Sequence, residues 1–292
     1  GTTKVIGSDR SSAEATVSNG LTAFGSDGFT VGADANVNDN GDSHVAWNWL
    51  AGGSASSNSN GSITSSVSAN TTAGFSIVSW TGSGSSATIG HGLGATPKFI
   101  IVKNRADNVN WFAYHPSVIT VGATNKSFLT FNESGTVGTN STATTFTSVS
   151  STTFGVGTDN IINGSSDNMI AYLFAEKKGY SKIGSYTGNG NANGAFIYTG
   201  FRPAFLLYKN NSQADNWFLH DNRRQGYNDQ NELLFGDITQ AESTVDRIRF
   251  TSNGFKTLDA DKGVGASGNT YVYIALAESP FVNSKGVPTN AR

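Results

Sequence analysis

Apolar and polar residues alternate along much of the chain, in short runs. The clearest runs are FSIVSW (75–80), FIIVKN (99–104), NWFAYH (110–115), SFLTFN (127–132) and MIAYLF (169–174), all rich in β-branched and aromatic residues. Alternate side chains point to opposite faces of a strand, so a period of two residues indicates β-structure. Asn-Gly pairs, which favour tight turns, recur along the chain, and no window has a convincing helix pattern. The pattern predicts an all-β protein.

The runs also repeat. TPKFIIVKN (96–104) returns as RPAFLLYKN (202–210), so that Pro97 corresponds to Pro203, 106 residues later. The same shift relates NWFAYH to NWFLH (216–220). SFLTFN similarly matches NELLFG (231–236), and MIAYLFAE matches YVYIALAE (271–278). Each unit has roughly 100 residues and about six strands, which predicts tandem β-sandwich domains of jelly-roll or lectin-like type.

The first 52 residues match only the end of this unit. DGFTVG (27–32) stands where TTFGVG (152–157) stands, and SHVAWNWLA (43–51) stands where MIAYLFA stands. We therefore expect either a longer gene product whose front is missing or a half-unit that pairs with another chain, and we favour the first. The expected division is an incomplete first repeat (1–52), a Ser/Asn/Gly-rich connector (53–73), two sandwich repeats (74–178 and 179–281) and a tail (282–292).

Composition supports this interpretation and narrows the function. Of 292 residues, 35 are Gly and none is Cys, and charged residues make up 14%, against roughly 25% in an ordinary soluble domain. The formal net charge is −2, and the basic residues form no run suited to phosphates, so we expect no nucleic-acid partner. No stretch approaches the roughly 20 apolar residues of a membrane span, so we expect no membrane insertion.

The segment ANVNDNGDSHVAWNW (35–49) contains the start of a calcium-loop pattern. Its weak candidate ligands are oxygen-bearing residues at alternate positions before Gly41, namely Asp34, Asn36, Asn38, Asn40 and Asp42. Position 12 of such a loop is Trp47 instead of Glu, and the matching loops at 157–168 and 258–269 do not keep the alternation. The sequence therefore favours a turn between strands, without metal or cofactor.

Catalytic signatures are weak. His44, His91, His115 and His220 lack zinc spacing, and no nucleophile motif is present. His115 follows Trp111 by four residues and His220 follows Trp217 by three, so the two pairs lie differently on their strands, and we expect the Trp side chains in the core. The carboxyl groups of three acids unique to the second repeat are available for glycoside hydrolysis: Glu232, Asp237 and Glu242. Surface solubility accounts for them more simply.

The most distinctive loop is HDNRRQGYNDQNE (220–232). Arg and Tyr are enriched at protein interfaces. The candidate contacts with a receptor or protein neighbour are Arg223, Arg224, Tyr227 and Asn228. The alternative is a solvated loop with local salt links.

Several stretches resemble a family of tandem domains in virion structural and tail proteins of marine tailed phages. They are LTAFGSDGFTVG (21–32), HVAWNWLAGG (44–53), SNGSITSSVSANTTAGFSIVSWTG (59–82), ATIGHGLGATPKFIIVKNR (87–105) and GVPTNAR (286–292). The resemblance implies a location on the phage particle, assembly in the host cytoplasm, and a structural or adhesion module. It carries over no catalytic residue.

We therefore expect a non-enzymatic virion protein, a tail fibre or appendage that contacts other virion proteins and a host-surface glycan or protein. A homo-oligomer, with a trimer favoured, would turn weak single contacts into avidity. The alternatives are a lectin-like glycan-binding module of a secreted or surface protein and, less favoured, a glycan-degrading enzyme.

Overall fold

The computed structural model describes residues 1–224 and 229–280. The fold is all-β, as the sequence predicts, and these residues form antiparallel sheets and two helices of one turn each. Among the described residues, no helix has the length and apolar character needed to cross a membrane. The prediction of sandwich domains is confirmed at the level of this architecture.

The N-terminal segment (1–52) forms two small hairpins and a helical turn. Its elements are β1 (Lys4–Val5), β2 (Ala15–Thr16), β3 (Leu21–Phe24), β4 (Phe29–Val31) and α1 (Ala35–Asn38). Strands β1 and β2 pair with each other, as do β3 and β4. Residues 43–51, expected to match the last strand of the repeat, run without a strand partner in the structure.

The first domain (53–178) is a sandwich of an eight-stranded and a three-stranded sheet. Its elements are β5 (Ser56–Asn58), β6 (Ser65–Asn70), β7 (Phe75–Thr81), β8 (Ala87–Gly90), β9 (Phe99–Asn104), β10 (Trp111–Tyr114), β11 (Ser127–Thr130), β12 (Gly138–Thr139), β13 (Phe146–Val149), β14 (Thr153–Val156), α2 (Asn160–Asn163) and β15 (Asn168–Phe174). The large sheet has the order β12-β11-β10-β9-β15-β7-β6-β5, and β13-β14-β8 form the small one.

Two strands lie in the range 53–73, which the sequence presents as a connector. Strand β5 pairs with β6, and β6 pairs with β7 from Ser66↔Ser79 to Asn70↔Phe75. The Ser-rich composition conceals the strand because small hydroxyl side chains carry little hydrophobic signal, although Val67 is buried.

The second domain (179–280) bends one eight-stranded sheet into a nearly closed, barrel-like form. Its strands are β16 (Ser181–Thr187), β17 (Phe196–Tyr198), β18 (Pro203–Asn210), β19 (Trp217–Asp221), β20 (Asp229–Phe235), β21 (Ser243–Thr251), β22 (Gly254–Thr257) and β23 (Thr270–Ala277). They follow the order β16-β23-β18-β19-β20-β21-β22-β17.

The central strands of both large sheets are apolar on both faces. In β18, Leu206 and Tyr208 belong to the second domain's own core, whereas Phe205 and Leu207 belong to a cluster shared with the first domain. A strand whose two faces are both covered has a nearly continuous apolar sequence. One face of each sheet therefore forms the domain's interior, and the other face joins the two domains.

Strand register corrects one detail of the repeat. Matching SFLTFN to NELLFG places Phe131 with Phe235, but the structure pairs Thr130 with Phe112 and Phe235 with Phe218, the residue equivalent to Phe112. Thr130 thus corresponds to Phe235, one residue away from the sequence match. Similar apolar letters in adjacent positions hid this shift, because only the hydrogen-bonded register fixes which face a side chain occupies.

Candidate functional site

A cavity of about 440 Å³ separates the two large sheets. Aromatic side chains dominate its lining, and three different parts of the chain supply them. The lining residues are Ser8, Trp47, Trp49, Phe75, Ile77, Phe99, Ile101, Trp111, Phe131, Tyr172, Phe174, Phe205, Leu207, Leu219, Phe235, Gly236 and Ile274. The cavity is therefore shared by the N-terminal segment and both domains.

Two side chains of the second domain hold it against the first. The indole Nε1–H of Trp217 donates to the Thr130 carbonyl at 2.9 Å, and the Lys209 ammonium donates to the Ser134 carbonyl at 3.0 Å. The Trp217 ring packs against Phe131, with ring centroids 5.2 Å apart. We call this pair of contacts the Lys–Trp clamp. The clamp holds the second domain against two backbone carbonyl groups of the first domain.

The same clamp holds the N-terminal segment on the first domain. Trp111 Nε1–H donates to the Gly7 carbonyl at 2.9 Å, and Lys103 Nζ donates to the Ser11 carbonyl at 3.0 Å. In both clamps the Lys and Trp are eight residues apart, and the two acceptor carbonyls are four residues apart. The same interface therefore joins the N-terminal segment to the first domain and the first domain to the second.

The clamp lysines are buried cations held by carbonyl groups. Lys103 also donates to the carbonyls of Asp107 and Val109, and Lys209 donates to that of Asp215. Burial lowers the pKa of both lysines to about 8. Because a buried ammonium is costly unless it is hydrogen-bonded, each lysine favours packing of its domain against one carbonyl group of the preceding unit, which adds to the carbonyl groups of its own domain.

Trp47 and Trp49 insert the N-terminal segment between the two domains. Trp49 makes edge-to-face contacts with Phe174 of the first domain at 6.3 Å and with Phe205 of the second at 5.5 Å. Trp47 contacts Phe205 at 6.1 Å, and the Arg224 guanidinium lies 5.9 Å from a Trp47 ring centroid. Trp49 thus bridges the two domains and Trp47 contacts the second, roles that sequence matching to a strand did not reveal.

The candidate calcium residues lie around α1. Asp34 is the N-cap of this turn, and its Oδ1 accepts from the backbone N–H of Asn36 at 2.9 Å and from the Asn36 side chain. Asp159 caps α2 in the same way, through Ile161 N–H. Asn38 donates to the Gly32 carbonyl. In the described part of the chain, no group of three His, Asp or Glu side chains is arranged to hold a metal ion.

The candidate contact loop divides into three parts. The Arg224 guanidinium forms two ion pairs within the second domain, with Asp221 at 2.7 Å and with Glu242. Arg223 is exposed. Tyr227 and Asn228 lie outside the described residues. Of the two candidates within the described residues, Arg223 is the exposed one and Arg224 is partly buried.

Three of the four histidines, His91, His115 and His220, are buried, whereas His44 is exposed. Trp111 and Trp217 are buried, as expected, and His115 and His220 are buried with them. His220 stacks on Tyr208 inside the second domain, and burial lowers the pKa of His220 to about 3. Asp237 accepts the backbone N–H of Trp217 at 3.1 Å. The structure therefore places the Asp237 side chain beside the clamp tryptophan.

Two exposed aromatics were not found from the sequence. Phe196 and Tyr198 are 51% and 63% exposed on β17, an edge strand, and as alternate residues they share one face. In the first domain the equivalent strand β8 is covered, since Ser62 exchanges hydrogen bonds with Thr88. The only signal in the sequence is the FIY run after a Gly/Asn-rich loop, which is indistinguishable from a core strand.

Comparison with known proteins identifies a family. No curated protein and no solved structure matches the chain at a significant level. A family model described as a domain of unknown function, DUF7483, matches residues 1–280, which include the N-terminal segment and both domains. The chain therefore belongs to the DUF7483 family.

Proposed function

We propose that the chain is a non-enzymatic structural protein of a phage particle, part of a tail fibre or similar appendage that contacts the host surface. The observation that supports this proposal best is the repeated Lys–Trp clamp. It joins successive units through the same buried contacts, so that forces on one domain pass to the next. Such a joint suits a spacer that holds a binding tip at a set distance from the particle.

The resemblance of the sequence to tandem domains of phage tail proteins is what supports a location on the phage particle in this proposal. The mechanism is multivalent: copies on one particle bind weakly and gain avidity together. The partners are other virion proteins and a host-surface glycan or protein. The exposed side chain of Arg223 is the candidate contact within the described residues.

Two measurements test this proposal. Mass spectrometry of purified particles from a phage that encodes the chain is expected to find it at a fixed copy number. Excess soluble chain is expected to slow adsorption of those particles to host cells. If the chain is absent from the particle, the virion role is refuted. If the chain is present but the soluble chain does not slow adsorption, the chain is a spacer without a role in adhesion.

A lectin-like module is the second candidate, and the pair Phe196 and Tyr198 favours it. Exposed aromatic rings on one face of a strand provide a surface on which the apolar faces of sugar rings can stack. Lys256 donates to Asn193 beside this strand, which places polar groups nearby. The double substitution Phe196→Ala and Tyr198→Ala is expected to abolish binding on a glycan array without changing the melting temperature by more than a few degrees.

A further inference from the structure

Elements β1–β4 and α1 of the N-terminal segment repeat β11–β14 and α2 of the first domain. Lys4↔Thr16 and Val5↔Ala15 in β1–β2 reproduce the pairing of β11 with β12, 123 residues later. Leu21↔Val31 and Phe24↔Phe29 in β3–β4 reproduce that of β13 with β14, 125 residues later, including the irregular register after the first pair. Residues 4–38 therefore form the later half of a repeat unit.

The apolar side of that half-unit lacks the cover that its equivalent has. In the first domain, Phe154 and Ile162 are fully buried beneath the large sheet. The corresponding residues, Phe29 and Val37, are 41% and 38% exposed and line an open cleft of about 620 Å³. The first domain shows what covers such a surface, namely a sheet like the one containing β7, β9 and β10.

Equivalent residues of three units meet at the cavity between the domains. Register makes Tyr172 equivalent to Ile274, because they pair with Ile101 and Leu207, which differ by the repeat shift of 106. The shift of 125 makes Trp47 the third member of this set. Ser8, Phe131 and Gly236 form a second such set. All six residues line the same cavity. The cavity therefore has the character of a pseudo-threefold axis.

The clamp has a third acceptor site. Thr130 and Ser134 of the first domain accept from the second domain. By register, Phe235 and Thr239 are their equivalents. Thr130 is 4% exposed, whereas Phe235 is only partly buried and Thr239 is exposed. The edge 235–239 thus has the position of an acceptor edge, and no lysine or tryptophan of the described residues 1–224 and 229–280 clamps it.

From these observations we infer that three units of this repeat form a ring around the cavity. The third unit is the one to which residues 4–51 belong. The early strands of that unit, the equivalents of β5–β10, cover the cleft at Phe29 and Val37. They carry a lysine and a tryptophan eight residues apart, which clamp the carbonyls of Phe235 and Thr239. This inference does not rest on the proposed function, since it concerns only how units of the chain pack.

The test is a chimera in which a second copy of residues 53–123 is placed ahead of Gly1 of the full chain. The shift of 123 makes this graft supply the strands equivalent to β5–β10. Amide hydrogen exchange of residues 21–37 and 235–239 is expected to slow at least tenfold relative to the unmodified chain. Light scattering is expected to give a monomer.

The matched control carries Lys103→Met and Trp111→Phe in the grafted copy alone. It is expected to keep the protection of 21–37 and to lose that of 235–239. Protection of 21–37 without protection of 235–239 in the parent chimera would refute the ring. An unprotected graft would also count against the third unit, because its strands come from a unit with the same register.

The unmodified chain provides a second test. Residues 131–134, which the second domain clamps, are expected to exchange at least tenfold more slowly than residues 236–239. Equal protection would show that the second edge is already closed, and would refute the docking surface. Concentration-dependent dimers that protect 235–239 would assign the occupant to a second copy of the chain and overturn its assignment to the unit of residues 4–51.

Discussion

Asp237 occupies in the second domain the position that Asn132 occupies in the first. The Asn132 side chain accepts the backbone N–H of Trp111 at 2.8 Å, and Asp237 accepts that of Trp217 at 3.1 Å. The second oxygen of Asp237 is buried and has no hydrogen-bond partner within the part of the chain that the structure describes. The backbone N–H of Trp111 is therefore bonded to a neutral amide oxygen, whereas that of Trp217 is bonded to a buried carboxyl group.

Asp237→Asn is therefore expected to stabilise the chain above pH 6. Burial raises the pKa of Asp237 from 3.8 to about 6. Between these values the folded state holds a proton that the unfolded state has lost, so stability falls as pH rises through this window. The variant should match the wild type at pH 4 and exceed it by on the order of 1–2 kcal/mol at pH 7.5, after allowance for solvent screening. Urea unfolding at both pH values measures this, and an equal offset at both would contradict it.

His220→Phe is expected to reduce acid sensitivity. Burial, with the nearby Arg224 and Arg247, lowers the pKa of His220 from 6.5 to about 3. The unfolded state therefore binds a proton that the folded state excludes, and stability falls as pH drops below 6.5. Melting temperatures from pH 7 to pH 4 should fall less steeply in the variant. The variant His44→Gln, at an exposed position, is the control for the removal of a histidine side chain.

Arg224→Met is expected to release the N-terminal segment. Arg224 joins Asp221 and Glu242 and lies over Trp47, so its loss removes a cation–π contact worth about 0.5–2 kcal/mol as well as two ion pairs. Limited proteolysis should cut residues 39–53 several-fold faster. Arg223→Met, at the exposed neighbouring position, is the matched control. Equal cleavage of both variants would show that Arg224 does not anchor the segment.

The substitutions Trp217→Phe and Trp111→Phe test the contribution of each clamp on its own. Each substitution keeps an aromatic ring and removes one indole hydrogen bond, which is worth about 1 kcal/mol. Trp217→Phe should loosen the second domain from the first, and the urea transition should broaden as the domains unfold less cooperatively. Trp111→Phe should free residues 7–14 to exchange amide hydrogens faster while leaving the urea transition sharp. The reverse assignment of these effects would contradict the repeated clamp.

The sequence by itself determined the class of the fold and its repetition. Alternation in FIIVKN and NWFAYH indicated strands, and the shift of 106 residues identified the two domains, because burial on a pleated sheet imposes a period of two wherever a unit recurs. It also predicted buried positions for Trp111 and Trp217, which the structure confirms.

The tertiary structure alone decided what covers each face. Lys103 and Lys209 resemble surface residues in the sequence, yet both are fully buried, because only the fold brings carbonyls of the preceding unit to the ammonium groups. Arg224 resembles a recognition residue, and the fold places it over Trp47. Alternation of apolar and polar residues indicates that one face of a strand is apolar. The pattern does not indicate what packs on that face. The residues that cover it are distant in sequence, and strand register and the packing of whole units bring them together.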